Sequence, residues 1–336
     1  MVVLLDSKLR TLLTLIVSCL LSINNDSKSI SIGSSKNTYF AVMAKEITPM
    51  KRVFVSGAGG QTGKLLFEKL IKHPDQFEVI GGVRTEESKK SLLEFIESRN
   101  SESSRNGQYK VEIVDITKEE QVRGIIKGCS AVMICSSATP VPTNEIDPKT
   151  GRKKMGFSEG AHPKQVDWIG QVNQIDAAKS ESKNIRIILC SSMGGTNPEH
   201  FLNTIGRSEN DYDTGNILLW KRKAERYLIQ SALPYTIIHP GGLTNEQGAQ
   251  RELVLGVDDL MDGTESRTVP RSDVAELMLQ SLIHPDTFSN RSFDVRAKPL
   301  SSSDITTPTD FIHLEKKWLH GTKNCNYDLG KKPGFE

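Results

Sequence analysis

The stretch Val53-Phe54-Val55-Ser56-Gly57-Ala58-Gly59-Gly60-Gln61-Thr62-Gly63, followed at once by Lys64-Leu65-Leu66-Phe67-Glu68-Lys69-Leu70-Ile71, decides the fold. Its β-branched apolar start reads as a strand, and Leu66 and Leu70, four apart, give the following segment one apolar helical face. Between them lie the glycines of a phosphate loop. Gly57 permits the tight turn, Gly60 lets the backbone approach a pyrophosphate, and Gly63 allows the helix to pack close. The helix N-terminus then presents free N–H groups and a positive dipole end to the phosphates. A glycine triplet alone is a weak signal, but a complete strand–loop–helix context makes it specific.

The pattern repeats along the chain. Strands are predicted at Phe77 to Val83, Val111 to Val114, Ala131 to Cys135, Ile185 to Cys190 and Tyr235 to His239, with a seventh at Phe293 to Val295. Helices are predicted from about Val166 to Ser180 and from Asn216 to Ser231. Alternating strands and helices imply an α/β fold, a Rossmann-type doubly wound parallel sheet. Such a sheet binds its ligand outside the carboxyl ends of its strands. Two stretches interrupt it: Glu86 to Gln108, rich in Ser, Glu and Lys, reads as a surface elaboration, and Thr139 to Lys164 as a long loop, either lid or decoration.

The predicted NAD(P)-binding domain with its C-terminal substrate lobe spans residues 50–318, and residues 319–336 read as a flexible tail. Residues 1–49 stand apart as a targeting leader or disordered extension. Lys8 and Arg10 precede the apolar run Leu12 to Leu21, and no acidic residue occurs from Ser27 to Lys45. A signal-like core followed by a transit-like stretch fits a plastid leader; the alternative is a cytoplasmic protein started at Met43. The formal charge of +2, from 43 basic and 41 acidic residues, gives no electrostatic case for nucleic acid. The apolar run is short for a bilayer, so no stable membrane span is expected in the mature protein. Five scattered cysteines lack metal-ligand spacing, and no metal site is predicted.

An NAD site usually carries Asp or Glu at the end of the second strand. Here that strand ends Gly81-Gly82-Val83-Arg84-Thr85, and the Arg84 guanidinium matches a 2′-phosphate. NADP is therefore the expected cofactor, with Glu86 and Glu87 keeping NAD open.

Several further motifs accompany the loop: Val83-Arg84-Thr85, Asp167-Trp168-Ile169-Gly170-Gln171, Ser191-Ser192-Met193-Gly194-Gly195-Thr196-Asn197, Trp220-Lys221-Arg222-Lys223-Ala224-Glu225 and Pro240-Gly241-Gly242-Leu243. Together they resemble the atypical short-chain dehydrogenases of the NmrA-like group, in particular an uncharacterised plant and algal plastid branch. The resemblance covers roughly Met50 to Trp318 and implies an NADP-binding Rossmann fold with a small substrate-side lobe. It also implies that Gly57, Gly59, Gly60, Gln61, Thr62 and Gly63 hold the phosphates and that Asp115 and Ile116 lie by the adenine. Ser136, Ser137 and Ala138 would pass the cofactor's middle, and the turn Pro240, Gly241, Gly242, Leu243 would close over the nicotinamide.

The wider superfamily uses a serine after the fifth strand and a Tyr-x-x-x-Lys on the next helix. Ser192 and Lys221 are the counterparts here, with Ser191 second to Ser192, and Lys221 would hold the nicotinamide ribose. The tyrosine position is Ile217, which has no proton to transfer. Tyr212 and His239 are alternative acids. Two functions remain: an NADPH-dependent reductase of a quinone-like or conjugated small molecule, or a non-catalytic NADP(H)-binding redox sensor or scaffold protein.

Overall fold

The computed structural model describes residues 50–336 apart from 100–108, 149, 209–210, 212, 261–266, 300–309, 321–323 and 336. The predicted leader and Tyr212 lie outside the described residues. The glycine loop joins β1 (Lys51–Ser56) to α1 (Gln61–Ile71), as the sequence predicts. β2 (Phe77–Val83), β3 (Tyr109–Ile113), β4 (Ala131–Ile134), β7 (Arg186–Cys190), β8 (Tyr235–Pro240) and β12 (Arg291–Ala297) complete seven parallel strands. The antiparallel edge strand β10 (Leu253–Gly256) gives the order β10-β12-β8-β7-β4-β1-β2-β3. This is the α/β Rossmann-type architecture.

Alternate residues of β1 supply two cores. Val53 and Val55 pack with Leu66, Phe67 and Leu70 of α1 and with Val274, Leu277 and Met278 of α6 (Arg271–Ile283). Phe54 packs on the other face with α3 (Glu119–Ile126), α4 (Gly170–Glu181) and α5 (Ile217–Gln230) through Val122, Ile126, Ile175, Ala178 and Leu228. A π-helical turn, Lys164–Ile169, leads into α4. Outside the main sheet, β9 (Gly242–Thr244) pairs with β11 (Thr268–Pro270). No helix among the described residues is long and apolar enough to cross a membrane.

Three expectations change. The predicted surface elaboration at Glu86 contains α2 (Glu86–Arg99), because Leu92 and Ile96, four apart, bury one face and Thr85 caps the start by accepting from the Ser88 N–H at 3.2 Å. The long loop after β4 folds partly into the antiparallel hairpin β5 (Val141–Ile146) and β6 (Lys153–Gly156). The tail is not loose where it is described. Leu319, which ends α7 (Phe311–Leu319), is buried, as are Cys325 and Phe335. The Arg222 guanidinium donates to the Asn326 carbonyl at 2.8 Å and stacks on Tyr327, and Phe335 meets Trp220 edge to face. A few apolar anchors in a polar segment suffice to dock it, which average composition conceals.

Candidate functional site

The sheet order reverses between β1 and β4, and a cleft of about 610 Å³ opens outside the strand ends there. Gly57, Gly59, Gly60, Gln61, Thr62, Arg84, Asp115, Ile116, Ser136, Ser137 and Ala138 all line it. They come from the ends of β1, β2, β3 and β4, which parallel pairing brings to one edge. The Ser56 and Ser136 hydroxyls lie 3.0 Å apart and tie two of those ends together.

The loop fits a pyrophosphate. Gly57 lies at φ +69°, and a Cβ there would stand 2.7 Å from the Ser136 backbone nitrogen. Gly60 is ordinary in conformation (φ −73°, ψ 167°), and a Cβ there would meet only the Gly57 carbonyl oxygen at 3.2 Å. Glycine at 60 therefore keeps a face open rather than satisfying the backbone. Gln61, Thr62 and Gly63 begin α1, so their N–H groups have no partner within the helix. Gly63 itself does not line the cleft. Its Cβ would lie 2.1 Å from the Gly57 carbonyl oxygen, so its role is to let the loop close on itself.

Arg84 is exposed at the cleft, beside the N-terminal turn of α2, whose Ser88 also lines it. A guanidinium and a helix N-terminus together suit a phosphate monoester. Asp115 accepts from both the N–H and the hydroxyl of Thr117, which shapes the turn after β3.

Lys221 and Ser192 do not line this cleft. The Lys221 ammonium is 2.7 Å from Asp167, with both side chains buried, and the other Asp167 oxygen accepts from the Ala138 N–H at 3.0 Å. Ser192 donates to the Met193 carbonyl. Ile217 is buried with Ala138, Val166 and Leu218, so the tyrosine position belongs to an apolar wall. His239 lies in a buried cluster elsewhere: its Nε2 is 3.1 Å from Glu225, which also accepts from Ser191. Burial alone pushes the Glu225 carboxyl up, but His239 and Arg222 outweigh it and bring it down to about 2. Pro240 ends β8, and Gly241, Gly242 and Leu243 follow. They connect to the cleft through Arg271, which lines it and donates to the Leu243 carbonyl at 3.1 Å. Arg271, Ser88, Val141, Ser158 and Ala161 were not legible as cleft residues, since nothing local marks them. Among the described lining residues there is no tyrosine, histidine or lysine. Burial raises the thiols of Cys129 to about 12 and Cys190 to about 11, as expected of inert core cysteines.

A family model described as NAD(P)H-binding matches residues 57–285. The chain belongs to this NAD(P)H-binding family. It is 41% identical over 300 residues to the uncharacterized chloroplastic protein At2g37660 of Arabidopsis thaliana, covering 87% of this chain and 85% of the relative. It is 40% identical over 272 residues to sanguinarine reductase of Eschscholzia californica, covering 76% and 92%. Among solved structures, an NAD-dependent epimerase/dehydratase-like protein of Bacillus halodurans superposes with a TM-score of 0.54 at 21% identity, covering 80% of this chain and 99% of that one. That likeness concerns the fold. The chain is thus an NAD(P)H-binding protein with relatives in a plant chloroplastic branch.

Proposed function

We propose that the protein is a plastid NADPH-dependent reductase of a quinone-like or conjugated small molecule. The observation that carries this is the composition of the cleft: a phosphate loop and Arg84 to hold the cofactor and, among the described lining residues, no tyrosine, histidine or lysine to protonate a carbonyl. NADPH, when bound, supplies hydride. Gly57, Gly59, Gly60, Gln61, Thr62 and Arg84 would hold its phosphates, Asp115 and Ile116 would lie by the adenine, and Ser136, Ser137 and Ala138 would pass its middle. A conjugated acceptor spreads the charge that arrives with hydride over distant atoms, so solvent or a serine hydroxyl suffices as proton source. The relative named sanguinarine reductase supports a reductase, and the chloroplastic relatives support the plastid.

The Lys221–Asp167 pair favours the second reading, a redox sensor that binds NADP(H) without turnover. Lys221 is held at Asp167 and lines no part of the cleft. The readings separate in one assay of purified protein with NADPH. Quinones and conjugated carbonyls are expected to accelerate NADPH oxidation, whereas simple aldehydes and ketones stay near background. Background rates with every acceptor, beside intact NADPH binding, favour the sensor. Robust turnover of a simple ketone contradicts the assignment of Ile217 to the tyrosine position.

A further inference from the structure

A second constellation lies where β8, β12 and the docked tail meet. β12 pairs with β8 so that Asp294 stands level with His239, and the tail brings Cys325 over both by donating its N–H to the Ser292 carbonyl. His239 Nδ1 is 3.3 Å from Asp294 Oδ1 and 3.5 Å from Cys325 Sγ, and Cys325 Sγ is 3.9 Å from Asp294 Oδ1. All three residues are buried. A tetrahedral zinc ion with ordinary Zn–N, Zn–O and Zn–S bond lengths holds such donors roughly 3.3–3.6 Å apart. The triangle therefore has the edge lengths of one face of a zinc tetrahedron, with one edge slightly long.

The surroundings supply what metal ligands require. The other imidazole nitrogen, Nε2, faces the Glu225 carboxylate at 3.1 Å, the outer partner that orients a ligating histidine. The second oxygen of Asp294 accepts from the Asp259 N–H at 2.8 Å, which aims the first oxygen at His239. Ser192, Thr196 and Asp258 line the small cavity that the three donors face, and an oxygen ligand from that side completes four-coordination. The carboxylates of Asp258, Asp259 and Asp294 line the same cavity and outnumber its one cationic side chain, Arg222, which suits a divalent cation there.

We propose that His239, Asp294 and Cys325 form a divalent-metal site of zinc type that pins the C-terminal tail to the sheet. A thiolate with an imidazole selects zinc over magnesium or calcium, which prefer oxygen ligands alone. The site is separate from the cofactor cleft, none of whose lining residues it shares.

The test uses the untagged full chain, stripped with a chelator and titrated with Co²⁺ as a spectroscopic probe and with Zn²⁺. One Co²⁺ per chain is expected, with a thiolate-to-cobalt charge-transfer band in the near ultraviolet that Zn²⁺ abolishes. Cys325→Ser should lose the band, while Cys129→Ser, at another buried cysteine, keeps it. Glu225→Gln should retain the band and weaken Zn²⁺ binding by roughly 10–100-fold. A wild-type titration without the band overturns the proposal whether or not any variant folds, and so does a band that survives in Cys325→Ser.

Discussion

Lys221→Met is expected to lower unfolding stability by about 3–5 kcal/mol, the usual cost of leaving a buried charge without its partner. The partner is Asp167, 2.7 Å away and fully buried. Asp167 cannot turn to solvent, because its second oxygen holds the Ala138 N–H after β4. The repair follows from the same geometry. Asp167→Asn keeps an acceptor for Ala138 while removing the charge, so Lys221→Met combined with Asp167→Asn should regain most of the loss. Urea denaturation of the wild type, both single variants and the double variant gives the coupling directly. A single-variant loss below about 1 kcal/mol, the scale of an exposed pair, shows that Asp167 does not hold the ammonium. Lys221 is then free for the ribose role that the family resemblance implies.

Gly60→Val is expected to leave a folded protein that no longer binds NADPH, with affinity reduced at least about 100-fold, or about 2.7 kcal/mol. Position 60 has an extended backbone that valine adopts, and the added Cβ meets only the Gly57 carbonyl oxygen, at 3.2 Å, a tight contact that a shift of a few tenths of an ångström relieves. The side chain must therefore occupy the face from which a pyrophosphate approaches. Gly63→Val serves as the contrast. A Cβ 2.1 Å from the Gly57 carbonyl forces the loop open, so stability and binding should fall together. Circular dichroism with a cofactor titration distinguishes the two. Undiminished binding by Gly60→Val places the phosphates elsewhere.

The central parallel strands were legible as short β-branched runs, such as Ile187-Ile188-Leu189 of β7, buried on both faces. α1 was legible from its apolar periodicity, Leu66 and Leu70 lying four apart. α6 was not, since Val274, Ala275, Leu277, Met278 and Leu279 are all buried and leave no single stripe. α2 was hidden by its charged surface, with only Leu92 and Ile96 turned inward. The same division holds at the site. Apart from Gln61, Thr62 and Ser88 at helix starts, the residues from Gly57 to Ala138 that line the cleft sit at or just beyond strand ends, and the edge of a parallel sheet collects strand ends whatever the loops do. Arg271 reaches the cleft from a helix far along the chain, and Asp167 captures Lys221 from a helix with no spacing relation to it. His239, Asp294 and Cys325 likewise converge only through β-pairing and tail docking.

The central claim is that the cleft between β1 and β4 holds NADP(H), with Arg84 on the 2′-phosphate. Equilibrium titration of wild type and Arg84→Ala with NADPH and NADH tests it most directly. Wild type should bind NADPH more tightly than NADH. Arg84→Ala should weaken NADPH by about 1.5–3 kcal/mol, the worth of a charge-assisted hydrogen bond, and leave NADH nearly unchanged. Equal affinities in the wild type, or an Arg84→Ala variant with undiminished preference for NADPH, would contradict the account.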